Sequence, residues 1–180
     1  MSQYYYLTAS LPLLLPEGEV LMDSPAFLGA CRGILSPGDY AQLTACRLVP
    51  GDNPPPRVHP LLGRWLAWEK ALRNELVRVR AARLRRDGEP FLRPGEDGAG
   101  AAEIVREAAS LPNPLEAEFK LDKARWAFLD ELEVGHIFDL QRIMVYYLKL
   151  QILERRSRFT REKGGRAYGK LYQDVVNQIT

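Results

Sequence analysis

The sequence predicts an all-α fold, and three observations carry that prediction. Apolar residues recur at three- and four-residue steps through three stretches, beginning at Leu61, after Asn113-Pro114 and at Leu140. Capping residues and prolines stand at the starts of segments: Ser24-Pro25, Ser36-Pro37, Asn113-Pro114 and Asp139. Extended structure is favoured only at Tyr4 to Ala9, where aromatics cluster, and a single strand there has no partner in the chain.

The elements follow in order. Ser24 and Ser36 each put a capping hydroxyl before a proline, whose missing N–H costs nothing at a first helical position, so helices are expected near 25–33 and 37–47. Gly33 separates them. The prolines from Pro50 to Pro60 remove donors and push their neighbours to extended geometry, which makes 49–60 a stiff connector. Leu62, Trp65, Leu66, Leu72, Leu76 and Val79 then form one side of a long helix over about 61–86. Arg64, Arg73, Arg78, Arg80, Arg83 and Arg85 give it a cationic exposed side. Residues 87–100, rich in glycine, proline and acids, read as an exposed loop, with a hairpin tip as one form.

A short helix near 101–110 stops before Pro112, and Asn113-Pro114 restarts a helix with Glu116, Glu118 and Asp122 in its first turns. Acids there suit the positive end of the helix dipole. Its apolar stripe, Leu121, Ala124, Trp126, Phe128, Leu129 and Leu132, runs to Gly135. Asp139 caps the next helix, with Leu140, Ile143, Met144, Tyr147, Leu148, Ile152 and Leu153. Gly164-Gly165 ends the basic run that follows, and Tyr168–Ile179 forms a last short helix. The expected architecture is one elongated antiparallel bundle over 1–180: short N-terminal helices over 1–48, a connector over 49–60, and long helices over 61–180.

A net charge of +2 conceals segregation. Residues 64–86 carry eight bases against two acids, 149–170 again eight against two, and 87–139 thirteen acids against five bases. Cys31 and Cys46, fifteen apart, lack metal-binding or redox spacing, so a reduced cytosolic protein is expected. Pro12 and Pro16 cut the run Leu11–Leu15 too short for a signal core or a membrane span.

The pattern supplies no catalytic, cofactor-binding or metal-binding residues. Glu133-Val134-Gly135-His136 has the Glu-x-x-His step of helical di-iron sites, but a second such pair is lacking and the other histidine, His59, sits in the connector. Gly164-Gly165-Arg166 has no strand before it to aim amides at a phosphate. Asp122, Asp130 and Glu131, among Lys120, Lys123 and Arg125, read as a solvated, salt-bridged face.

Two uses remain for the basic helices. Arg78 to Arg86 and Arg155 to Lys163 would neutralise phosphates, but no aromatics are interleaved to stack bases, so nucleic acid is the disfavoured partner. A cationic ridge also suits acidic helices of another protein, where charge sets orientation and a few buried anchors set affinity. Trp65, Trp68, Arg73, Arg80, Tyr147, Arg155 and Arg158 are the candidate contact or module-packing residues. Trp65, on an apolar stripe, reads more readily as core, and Tyr4, Tyr5 and Tyr6 as packing anchors.

The opening Tyr4-Tyr5-Tyr6-Leu7-Thr8-Ala9-Ser10-Leu11-Pro12, then Phe27-Leu28, Leu35-Ser36-Pro37-Gly38-Asp39 and Leu43, resembles a small bacterial family encoded among genes for V/A-type rotary ATPases. Trp68-Glu69-Lys70-Ala71-Leu72-Arg73-Asn74-Glu75-Leu76, Phe119-Lys120-Leu121-Asp122-Lys123 and Leu148-Lys149-Leu150-Gln151-Ile152-Leu153-Glu154-Arg155 look like modules of the C subunit of those ATPases, also called the d subunit. The chain is shorter than a full C subunit, so at least one module looks missing. The resemblance implies a non-catalytic stalk, adapter or assembly component without a cofactor. Its partners would be the central stalk and the membrane ring, and its place would be the cytoplasmic face of the membrane.

Overall fold

The computed structural model describes residues 4–49, 58–95, 98 and 100–159. The described residues form seven α-helices and no strand: α1 (Tyr5–Ser10), α2 (Ser24–Arg32), α3 (Pro37–Ala45), α4 (Pro60–Leu84), α5 (Ala101–Ser110), α6 (Pro114–Glu133) and α7 (Leu140–Ser157), with one 3₁₀ turn at Glu89–Phe91. Most of the connector, the Gly164-Gly165 break, the expected 168–179 helix, and Arg161 and Lys163 lie outside the described residues.

The punctuation works largely as the sequence implies. Ser36 accepts from the Asp39 N–H at 3.1 Å, Asn113 from the Leu115 N–H at 3.0 Å, and Asp139 from the Arg142 N–H at 3.0 Å. The cap of α2 is a correction: Asp23, not Ser24, accepts from the Ala26 N–H, at 2.9 Å. Ser24 instead donates its N–H and hydroxyl to the Glu154 carboxylate of α7, at 2.5 and 2.7 Å. At α4 the cap is His59, whose Nδ1 accepts from the Leu61 N–H at 3.2 Å.

The Tyr4–Ala9 segment, the one place where extension was favoured, is helical. With no strand to pair with, the backbone satisfies itself, and burial of Tyr4 and Leu7 three residues apart fixes one face inward. The Tyr4 hydroxyl donates to Asp39; burial, then the Asp39 hydrogen bond and charge, push its pKa up to about 12.

Helix directions follow from the contacts. Glu133 pairs with Arg142 and Lys149, and Asp122 with Arg155, so α6 and α7 are antiparallel. Trp68 stacks on Phe128 at 4.7 Å, and Glu69 meets Arg125, so α4 and α6 are antiparallel too. The exception is α5, which runs beside α4 in the same direction: Gly98 abuts Ala71 at its start, and the Ala109 carbonyl accepts from Arg83 at its end.

That parallel placement overturns the hairpin tip. After Arg85, in a left-handed cap with φ of 52°, the chain turns back along α4. Asn74 of α4 holds the returning strand of loop with both ends of its amide, donating to the Arg93 carbonyl at 2.8 Å and accepting from the Arg93 N–H at 3.0 Å. At Gly98 a Cβ would lie 2.7 Å from the Cβ of Ala71, so the close passage of the loop requires glycine.

Two apolar cores result. One joins α1, α2 and α3 to the first turns of α4, the end of α6 and most of α7. Phe27 stacks there on Tyr146 and Tyr147 at 5.2 and 5.4 Å. The other lies between α4, α5 and the start of α6, and is built from Ala71, Leu72, Ala101, Val105, Ala108 and Leu121. No described helix is long and apolar enough to cross a membrane.

Candidate functional site

At about 100° per residue, Leu121, Trp126, Leu129 and Leu132 occupy one arc of α6, and Asp122 and Arg125 fall inside it. Glu69 likewise falls among Leu61, Leu62, Trp65 and Leu72 on α4. All three charges are therefore buried: Glu69 is 0 %, Asp122 1 % and Arg125 2 % exposed. This corrects the solvated face expected for Asp122 and Arg125. Asp130 and Glu131, on the other side of α6, are exposed.

Burial obliges these groups to pair, and they do so in an alternating chain across three helices. Arg125 meets Glu69 with two N–H groups, Nε to Oε2 at 2.9 Å and Nη2 to Oε1 at 3.0 Å, a bidentate geometry that lysine cannot make. Its Nη1 donates to Asp122 at 3.1 Å. At one end Arg73 donates to Glu69 at 2.8 Å; at the other Arg155 of α7 donates to Asp122 and lies 3.5 Å from Glu118. The sequence of charges, from Arg73 through Glu69, Arg125, Asp122 and Arg155 to Glu118, is balanced.

The environments set the titration. Burial pushes the Asp122 carboxyl up, against the pull of Arg155 and Arg125. For Arg125 burial acts to lower the pKa, but the charges and hydrogen bonds of Glu69 and Asp122 together outweigh it and raise it. Two buried polar atoms, Asp122 Oδ2 and Arg155 Nε, have no hydrogen-bond partner among the described residues.

The chain of charges borders a groove of about 280 Å³ lined by Arg73, Leu76, Val77, Arg80, Glu118, Leu121, Arg125 and Arg155. The structure thus brings three of the candidate contact residues, Arg73, Arg80 and Arg155, to one place. The others lie elsewhere. Trp65 is wholly buried, its indole N–H donating to the Arg47 carbonyl at 3.1 Å, so of its two readings it takes that of a core packing residue. Tyr147 packs on Phe27, and Arg158 is exposed at the end of α7. Trp68, partly buried, borders a separate cavity of about 610 Å³, lined by Ile104, Ala124, Ala127 and Phe128 beside the charged Glu107, Lys120, Lys123 and Glu131. Glu69, Asp122 and Arg125 are the residues the sequence reading missed, and the signal was their position inside the apolar arcs.

Among the described residues no group of three or more His, Cys, Asp and Glu side chains is placed to hold a metal ion. His136 sits beyond the end of α6 and bonds Asp139 at 2.5 Å, while Glu133 is engaged by Arg142 and Lys149. The Glu-x-x-His step therefore serves the α6–α7 turn, where Gly135 takes a φ of 84°.

Fold and site together define an all-helical protein with a buried ion chain and an arginine-lined groove. Over residues 100–180, rather less than half of its length, the chain is similar to a family described as "Protein of unknown function (DUF2764)". No curated protein matches it, and no solved structure does.

Proposed function

We propose that this chain is a non-catalytic component or assembly factor of a bacterial V/A-type rotary ATPase, resembling part of the C/d subunit that links the central rotor to the membrane ring. One observation supports the reading above the others. The three internal segments that carry the resemblance, 68–76, 119–123 and 148–155, meet at the ion chain, through Glu69 and Arg73, Asp122, and Arg155 respectively. The motif is thus spatial as well as sequential.

The physical design suits transmission of force between partners. Torque requires stiffness and shape rather than a reacting group, and three helices locked by buried ion pairs hold a fixed mutual orientation. The exposed arginines at the end of α4 and just beyond it, Arg80, Arg83, Arg85 and Arg86, complement acidic helices, so encounter is steered by charge. The protein would sit peripherally at the inner face of the membrane, through the complex. Affinity purification of the tagged protein at native abundance from its own host tests this. Central-stalk and membrane-ring subunits are expected in the eluate; ribosomes or nucleic acid without any ATPase subunit would overturn the proposal in favour of nucleic-acid binding.

A further inference from the structure

The groove between α4, α6 and α7 has a definite chemical character. Its floor is aliphatic, from Leu76, Val77 and Leu121, and its border is arginine, with Glu118 as the one acid among its lining residues. Arg125, although buried at its base, is fully committed to Glu69 and Asp122. The border arginines are not. Arg80 is exposed and enters no ion pair among the described residues, and Arg155, about a quarter exposed, uses only its Nη2, on Asp122 and Glu118. Arg73, about a third exposed, gives only its Nε to Glu69.

An occupant must therefore present acceptor oxygens to two or three guanidinium groups and carry methylenes to lie on the aliphatic floor. The volume, about 280 Å³, is ample for one side chain. A glutamate meets all three requirements. A run of phosphates does not: it brings no methylenes of its own, and no aromatic lines the groove to stack a base. We infer that this groove is the receptor for a glutamate side chain projected by an acidic helix of a protein partner. The inference rests on the docking role proposed above and deepens it by naming the site and the chemistry that enters it. Glu118 acts as the resident competitor, since its contact with Arg155 is long and partly open to solvent.

The probe is an alanine-based helical peptide with glutamates four residues apart on one face, compared with the same peptide carrying glutamines. Both are titrated into the ¹⁵N-labelled full chain while the arginine Nε–Hε signals are followed. The glutamate peptide is expected to shift the Arg155 and Arg73 signals saturably, and the glutamine peptide to leave them in place. Arg80→Ala, at an exposed position, should weaken binding about tenfold, in line with loss of one partner of a close charge pair. Glu118→Gln should tighten it, a gain that a purely structural role for Glu118 does not produce. Thermal unfolding of each variant verifies the fold.

Equal shifts with the glutamine peptide, unchanged affinity in Arg80→Ala, or larger shifts of the same signals by inorganic phosphate or an RNA oligomer would each overturn the inference. The two readings fail separately. Peptide binding as described, with no ATPase subunit in the purification, removes the ATPase assignment and keeps the groove. Subunits recovered equally well with Arg80→Ala do the reverse.

Discussion

The two cores of this protein are held by different physics. Around Phe27, Leu43, Trp65, Ile143, Met144 and Leu148 the helices meet through large apolar and aromatic side chains, and stability comes from the area removed from water. Beside Ala71, Ala101, Val105 and Ala108 the side chains are small, the backbones approach closely, and the adjoining contact is the charged chain through Glu69, Arg125 and Asp122. The first core tolerates adjustment of its neighbours. The second needs its partners in place, because each buried charge left alone is costly. The groove lies along the charged core, where rigidity would serve the recognition proposed above.

The two cores should differ most when the centre of the ion chain is removed. Arg125→Met leaves Glu69 and Asp122 buried without their cation, and a loss of about 3–5 kcal/mol is expected in urea unfolding. Adding Glu69→Leu and Asp122→Leu to that variant should restore most of it, since an apolar replacement of a whole buried network is often neutral. Phe27→Ala in the other core should cost about 3–5 kcal/mol through lost burial and a cavity, with no partner substitution that repairs it. If the triple replacement in the charged core stayed as unstable as Arg125→Met, the two cores would not differ in kind.

Next in size is the close passage of the loop. A methyl at Gly98 would meet the Cβ of Ala71 at 2.7 Å, so Gly98→Ala should cost about 1–3 kcal/mol by forcing α4 and the loop apart. Calorimetry would show it as a lowered melting temperature.

The smallest effects are those of pH, and both belong to the apolar core. Burial holds His59 below its ordinary pKa, with His136 adding to the effect and Asp39 and Asp139 opposing it. The unfolded chain therefore takes up the proton first, and stability falls as pH drops below about 6.5. Protonation also removes the Nδ1 acceptor that caps α4, so His59→Asn, a cap that does not titrate there, should flatten that decline. On the alkaline side, burial raises Cys31 to about 11 and Cys46 to about 12. The unfolded thiols ionise first, so stability falls as pH rises above about 8.5. Both thiols should resist alkylation in the folded protein until it opens.

Much of this was legible in the sequence. Helix starts at Pro37, Pro114 and Leu140 follow from residues whose local chemistry permits little else, and the stops before Pro112 and Gly135 do likewise. What escaped depends on contacts between distant segments. Asp23 displaced Ser24 as the cap because Glu154, far along the chain, claims the serine. The parallel run of α5 along α4 depends on the amide of Asn74 binding Arg93, a pairing that periodicity does not encode. Within the site, Arg73, Arg80 and Arg155 were visible as exposed cations. Asp122, read as solvated, is buried because its angular position on α6, rather than its charge, decides its environment.

We propose the arginine edge of the charged core as the docking surface. Its most direct measurement is the yield of central-stalk subunits captured from the native host by the wild-type chain and by Arg80→Glu, with unfolding curves recorded for both. Coincident unfolding curves and loss of the subunits with Arg80→Glu are expected. Undiminished capture by that variant would contradict it.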